Sequence, residues 1–249
     1  MALRERGASA AGSRNPCAVA PRPSQALQPV DASHLRKDAS ALAAAAPTGG
    51  SCPWRSPCSG APAGDALRAL AAVPGARLCL AAGRHAGPIA IAPGTVVWGG
   101  RDAVIERPAG GIVVELAAGA ALLGATVDGR GGVFDRTDAG VKLAGDGARI
   151  EGAAIVGAVF GVLADRIAHA AIRGNRIDGG RDPAIGLRGD TIRLWEVQDS
   201  VVEANQVDGG RDVVVWYSSG NRIAGNRITG ARYGTHLMYS HHNDVVGNR

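Results

Sequence analysis

IRGNRIDGGRD (residues 172–182), VEANQVDGGRD (202–212), AGNRITGARY (224–233) and VGNR (246–249) are copies of one motif. Their asparagines, Asn175, Asn205, Asn226 and Asn248, lie 30, 21 and 22 residues apart. Removing an eight-residue insertion from the first interval, expected within residues 183–190, leaves a period of about 22. Such a period, with two or three short strands in each copy, is one turn of a parallel β-helix. Coils stacked ~4.8 Å apart turn residues 77–249 into about seven or eight coils, a rod of roughly 35 Å.

Each repeated position has a physical role. Ile172, Val202, Ile223 and Val245 align, as do Ile177, Val207 and Ile228, and both sets are expected to point inward as aliphatic ladders. The aligned asparagines sit at a turn. Asn tolerates left-handed backbone, and stacked carboxamides hydrogen-bond from coil to coil. Gly179, Gly209 and Gly230 then permit positive φ at a second turn.

Upstream, short alternating runs at residues 77–80, 88–91, 95–98, 112–116 and 122–127 are separated by Gly, Pro or Asp, intervals too short for βαβ crossovers. The fold class is therefore all-β, a parallel β-helix. Residues 65–73 (DALRALAAV) read as a short helix with Asp65 as N-cap, Pro74-Gly75 as stop and Leu67 and Leu70 on one face. It is placed to cover the open edge of the first coil. Residues 1–62, rich in Ala, Pro, Ser, Gly and Arg, read as disordered or as a leader. The β-helix domain is assigned to residues 63–249. The sequence stops at Arg249 within a repeat, so further coils are expected in a longer relative.

Composition agrees. There are 37 glycines and 4% aromatics, which suits many tight turns around small aliphatics. The net charge is +5, from 27 basic and 22 acidic residues, with no basic stripe interleaved with aromatics, so no nucleic-acid partner is expected. Cys17, Cys52, Cys58 and Cys79 contain no C-x-x-C pair, which argues against a zinc or thioredoxin-type site. Either Cys52 pairs with Cys58 in an exported chain, or these remain thiols in a loose segment. Leu35-Arg36-Lys37 followed by an Ala-rich run is the best signal-peptide candidate, and its apolar part is short and interrupted.

Chemistry concentrates near the C-terminal end. Arg193-Leu194-Trp195 aligns with Val214-Val215-Trp216 and His236-Leu237-Met238. With Leu194, Val215 and Leu237 inward, Trp195, Trp216 and Met238 form one outward column and Arg193, Val214 and His236 another. Leaving each large apolar side chain in water costs roughly 1.5–3 kcal/mol, so the column is either a partner surface or covered by more of the chain. His236 and Met238 share a face, and imidazole with thioether suits Cu(I). His241 and His242 lie in the adjoining turn. Asp178 aligns with Asp208 and Asp182 with Asp212. Stacked acids are what a carbohydrate-active β-helix enzyme (lyase, hydrolase or epimerase) needs, but their place beside Gly-Gly-Arg suits turn hydrogen bonds and pairing with Arg181 or Arg211 better.

Residues 209–249 resemble the periplasmic copper-binding β-helix family of nitrous oxide reductase maturation, NosD. The features that carry this are Gly-Arg-Asp before Val-Trp-Tyr-Ser, Gly-Asn-Arg-Ile, and Arg232-Tyr233-Gly234-x-His236-x-Met238-Tyr239-Ser240. GDTIRLWEVQDS (189–200) resembles the preceding coil of that family. The resemblance implies a right-handed β-helix in the bacterial periplasm. It implies an assembly factor rather than an enzyme, working with a membrane ABC transporter, a copper chaperone and nitrous oxide reductase on the copper–sulfide centre. Transferred to this chain, it makes His236 and Met238 copper-handling candidates, with His241 and His242 nearby. Trp216, Tyr217 and Tyr239 become neighbouring contacts, beside Trp195.

Overall fold

The computed structural model describes residues 65–249. Expectations about residues 1–62, including Cys52, Cys58 and the Leu35-Arg36-Lys37 segment, lie outside the described residues. The 22 described strands form three sheets of eight, seven and seven. The first runs from Arg77–Leu80 to Asp244–Val246, the second from Gly83–Ala86 to Arg227–Thr229, and the third from Ile89–Ile91 to Thr235–Met238. Every strand pairs in parallel with its counterparts one coil before and after, so sheet order equals chain order. This is the parallel β-helix read from the repeat.

Register confirms the alignments. Ile172 pairs with Val202, Val202 with Ile223 and Ile223 with Val245 in the first sheet. Ile177, Val207 and Ile228 do the same in the second. Ile172, Val202, Ile177 and Val207 are buried in one continuous aliphatic core. In the last coil the same inward positions have a rung on one side only, so Leu237 and Val245 are 39% and 43% exposed.

The asparagine ladder is the polar half of the design. Asn205 donates its amide to Asn226 Oδ1 at 2.9 Å and to the Ile172 carbonyl at 2.9 Å. Its own oxygen accepts from Asn175 Nδ2 and from the Asn175 backbone N–H, both at 3.0 Å. Each buried carboxamide thus satisfies backbone groups of two coils that no strand bond reaches. The left-handed residue is not the Asn, as expected, but the one before it: Gly174, Ala204, Gly225 and Gly247 have φ between 54° and 64°. The Asn residues themselves do not have positive φ. Of the second-turn glycines, Gly209 and Gly230 have positive φ and Gly179, at the mouth of the insertion, does not. A second ladder, Ser200–Asn221–Asn243, runs at another corner with the same geometry and escaped the sequence reading.

Four expectations need correction. The helix is Asp65–Ala71, and its buried face is Leu67 and Ala71, one turn apart, while Leu70 is 41% exposed. The run at 122–127 is two strands, Ala121–Leu123 and Thr126–Asp128, broken at Gly124. There φ is +75°, and a Cβ would come within 2.5 Å of the Gly99 carbonyl, so the corner requires glycine. Strands Gly83–Ala86 and Ala103–Glu106 were overlooked, because Gly, Arg and His at the first and Asp beside the second mask the alternation. Asp182 does not stack on Asp212. The insertion occupies 179–191 and carries a 3₁₀ turn at Ile185–Leu187, so register places Thr191, not Asp182, against Asp212.

Asn205→Ala leaves the Asn175 N–H and the Ile172 carbonyl without these partners, and at ~1–3 kcal/mol per stranded buried group it is expected to destabilise the domain by about 2–4 kcal/mol. Asn248→Ala, at a half-buried position, is expected to cost less than half as much. Urea unfolding followed by far-UV circular dichroism compares the two, and equal small losses would mean the ladder does not hold the coils together.

Candidate functional site

The third sheet carries the site on its outward face. Register stacks Trp195, Trp216 and Met238 in one column and Arg193, Val214 and His236 in the next, as the repeat implied. Trp195 and Trp216 meet edge-on, with centroids 5.5 Å apart. The sheet ends at a corner where Arg166, Glu196, Tyr217 and Tyr239 all adopt φ near 50°. A tyrosine there is unusual, and its recurrence one coil apart shows that the corner imposes the conformation. It sets the Tyr217 ring 5.2 Å from Trp195 and stacks it on Tyr239 at 5.1 Å and 11°. Tyr217 is 47% and Tyr239 70% exposed, so the aromatic strip faces outward along the rod.

His236 is half-buried within this strip. Its ring meets Trp216 at 5.9 Å and 90°, and Tyr233 at 5.4 Å. The His236 Nδ1 and Trp216 Nε1 atoms are buried without a hydrogen-bond partner. Met238 follows two positions later on the same face of the strand. His241 and His242 lie past the corner. Their rings contact each other at 5.1 Å, and the His241 backbone pairs with Ser219 rather than with the third sheet. The structure therefore gathers His236, Met238, Trp195, Trp216, Tyr217 and Tyr239 in one patch and sets His241 and His242 apart as a pair. It adds Tyr233, which sits under the Arg232 guanidinium at 4.2 Å. Tyr233 lies inside the motif quoted above, three residues before His236, and that proximity was the available signal.

Residues 168–249 match the family model of the periplasmic copper-binding protein NosD. No curated protein matches the chain. The NosD match covers the last third of the sequence and contains every residue of the patch, so the resemblance read from the motifs is borne out for this stretch. That family is described as periplasmic and copper-binding. Among the described residues no helix is long and apolar enough to cross a membrane.

The donor set can be weighed against copper on its own terms. Among the described residues no three His, Cys, Asp or Glu side chains converge, so a site for a hard or borderline divalent ion is not built here. What the NosD-like face offers is one imidazole with an unpartnered ring nitrogen and one thioether on the same strand. That is a small, soft set, suited to Cu(I), which tolerates low coordination better than zinc or Cu(II) does. The neighbouring Trp216 ring adds a face on which a cation is attracted.

The acids do other work. Asp212 is fully buried and accepts from the Tyr233 and Gly234 N–H groups, at 2.6 and 3.2 Å, and from Arg232 at 3.1 Å. Asp190, also fully buried, accepts from Arg211 Nε at 2.9 Å and Nη2 at 3.2 Å. Asp182 is exposed on the insertion and accepts from the Ala184 N–H. Arg181 bridges Asp178 and Asp208 at 3.0 and 2.6 Å. These are turn fasteners, and the Asp182–Asp212 pair that a glycan-cleaving site needed does not exist.

The same corner carries another long loop two coils before the insertion, residues 129–138, fastened by Asp138. Its carboxylate accepts from Arg136 at 2.7 Å and from the Val133 N–H at 2.8 Å. The Arg136 guanidinium first, then the backbone N–H groups of Val133 and Gly111, hold its pKa at about 2 against the opposing effect of burial. A depressed pKa means the folded state favours the charged form, so this stabilisation is complete above the ordinary value of 3.8 and is lost as pH falls from there through about 2. Asp138→Asn is expected to lower stability at pH 7 by about 1–3 kcal/mol, with the gap to the wild-type protein closing as pH approaches 2. Urea midpoints at pH 7, 4 and 2.5 measure it. A gap of constant size would show that the charge of Asp138 does not fasten the loop.

Proposed function

We propose that this chain is a copper-handling assembly factor of the periplasm, not an enzyme. In this reading His236 and Met238 take up Cu(I) at the aromatic patch and pass it on. The destination is the copper–sulfide centre of nitrous oxide reductase, and the partners are the subunits of a membrane ABC transporter, a copper chaperone and the reductase itself. The observation that carries the proposal is the buried, unpartnered Nδ1 of His236 on the same strand face as the Met238 thioether, within the segment that matches a copper-binding family.

Three further features support it. A transfer protein needs a ligand set that binds without closing, and two donors on one strand leave room for a partner's donors to complete the coordination. The exposed Tyr217–Tyr239 stack and the half-buried Trp195 and Trp216 give a partner an apolar, rigid contact around those donors. Cys79 is disulfide-bonded, and disulfides persist in oxidising compartments such as the periplasm.

Cu(I) titration of the purified protein in competition with a chromophoric Cu(I) chelator is expected to show one high-affinity site, with quenching of tryptophan fluorescence. The double variant His236→Ala/Met238→Leu is expected to lose at least about 100-fold in affinity, on the order of 3 kcal/mol. His241→Ala/His242→Ala is expected to lose less than tenfold. Wild-type affinity in the first double variant would remove the site from this strand.

A further inference from the structure

A groove of about 600 Å³ opens on the third sheet, two to four coils before His236, and the copper reading shares only Trp195 with it. Its floor is Leu163, and around it stand Arg136, Lys142, Asp165, Arg193 and Trp195. With Arg166, the lining carries four cationic side chains and one carboxylate. The volume is that of a small-molecule site.

Two of the cations are committed elsewhere. Arg136 is held by Asp138 at 2.7 Å, and Arg166 by Asp165 at 3.0 Å. The other two are not. Lys142 reaches Glu115 only at 4.0 Å. Arg193 reaches Asp190 at 4.0 Å, but both oxygens of Asp190 already accept from Arg211. Among the described residues the Arg193 guanidinium makes no hydrogen bond, although its side chain is only 21% exposed. Burial depresses its pKa, the mark of a cation short of compensation. It is also held in place, because the guanidinium lies over the Phe160 ring at 4.7 Å. Phe160 in turn packs on Phe134 of the 129–138 loop at 5.4 Å.

Register sets the geometry of the pair. Lys142, Leu163 and Arg193 occupy one outward column on successive strands, so the two cations stand two rungs apart, about 10 Å between backbones, with Leu163 between them. Both side chains are long enough to lean over Leu163 from either side. Trp195 lies two residues beyond Arg193 on the same face, at the groove's edge. One oxygen of Asp165 has no hydrogen-bond partner.

We propose that this groove binds an oxyanion group above Leu163, held between Arg193 and Lys142, with the body of the ligand against Trp195. A guanidinium fixed on an aromatic face with its N–H edges unspent is a preorganised receptor for a carboxylate, phosphate or sulfate. The same chemistry has two sources, a free inorganic oxyanion or an acidic group carried on a sugar-like ring. A ring would add contact with Trp195 and offer hydroxyls to Asp165.

Metal-free protein is titrated by calorimetry with sodium phosphate, sodium sulfate and sodium galacturonate, each against sodium chloride at matched ionic strength. Saturable binding with a millimolar or tighter Kd is expected for at least one probe. Galacturonate binding at least tenfold tighter than phosphate assigns the ring-borne source, and the reverse order or equality assigns the free oxyanion. Lys142→Gln, at a half-exposed position, is expected to weaken the best probe at least fivefold with an unchanged melting curve, and Arg193→Gln more strongly. Heats that do not saturate for any probe, or full affinity in Lys142→Gln, would overturn the proposal. Cu(I) affinity, measured separately on the same variants, is expected to stay unchanged, so the two sites fail or stand independently.

Discussion

The register between successive coils governs everything else in this molecule. Parallel pairing brings residues about 22 apart in sequence to within ~4.8 Å of one another. A slip of one residue would turn every inward aliphatic outward. Two kinds of interaction fix it. The aliphatic ladders through Ile172, Val202 and Ile223 fill the bore, and the carboxamides of Asn175, Asn205 and Asn226 lock the corner by binding the coils on either side. The ladder is the more exacting of the two. An aliphatic tolerates small shifts, whereas a buried amide that misses its partners leaves polar groups stranded.

A fixed register makes function local in space though dispersed in sequence. The outward face of the third sheet reads along the rod as Glu115, Lys142, Leu163, Arg193, Val214 and His236. Charge therefore gives way to aromatic and soft-donor chemistry within a few rungs. Trp195 stands at the junction, touching Trp216 and Tyr217 while lining the groove with Arg193. The corner after this sheet, where four successive coils place a non-glycine residue at φ near 50°, is strained for side chains as large as tyrosine. That strain is offset by the stacking it permits between Tyr217 and Tyr239.

Large variation falls at the corner between the second and third sheets, while the other two corners differ by a single residue from coil to coil. One coil crosses it in residues 157–159, whereas others need 129–138 and 179–191. Loops of different length leave the rungs undisturbed because the strands on either side of each loop still pair with the neighbouring coils. The loops are consequently free to differ beside the functional face. Asp138, Asp190 and Asp212, buried at this corner and paired with Arg136, Arg211 and Arg232, fasten it coil by coil. Each of these acids commits at least one oxygen to an arginine of its own corner.

The sequence alone determined the β-helix, its period, the inward ladders and the outward pairing of Trp195 with Trp216 and of His236 with Met238. All of these follow from a periodic backbone, and a period can be counted. It also carried the motif that places residues 168–249 with a copper-binding family. Counting failed where the period is interrupted. The alignment of Asp182 with Asp212 was an artefact of an insertion whose boundaries only register reveals. The second ladder through Asn221 and Asn243 was countable and went unread. Side-chain partnership was decided by tertiary structure alone. No spacing shows that Arg211 occupies Asp190 and leaves Arg193 without a hydrogen bond, that the His236 Nδ1 is buried without a partner, or that Tyr233 closes on the imidazole. A repeat fixes where backbones lie, but hydrogen-bond saturation depends on which long side chains compete for the same acceptor in three dimensions.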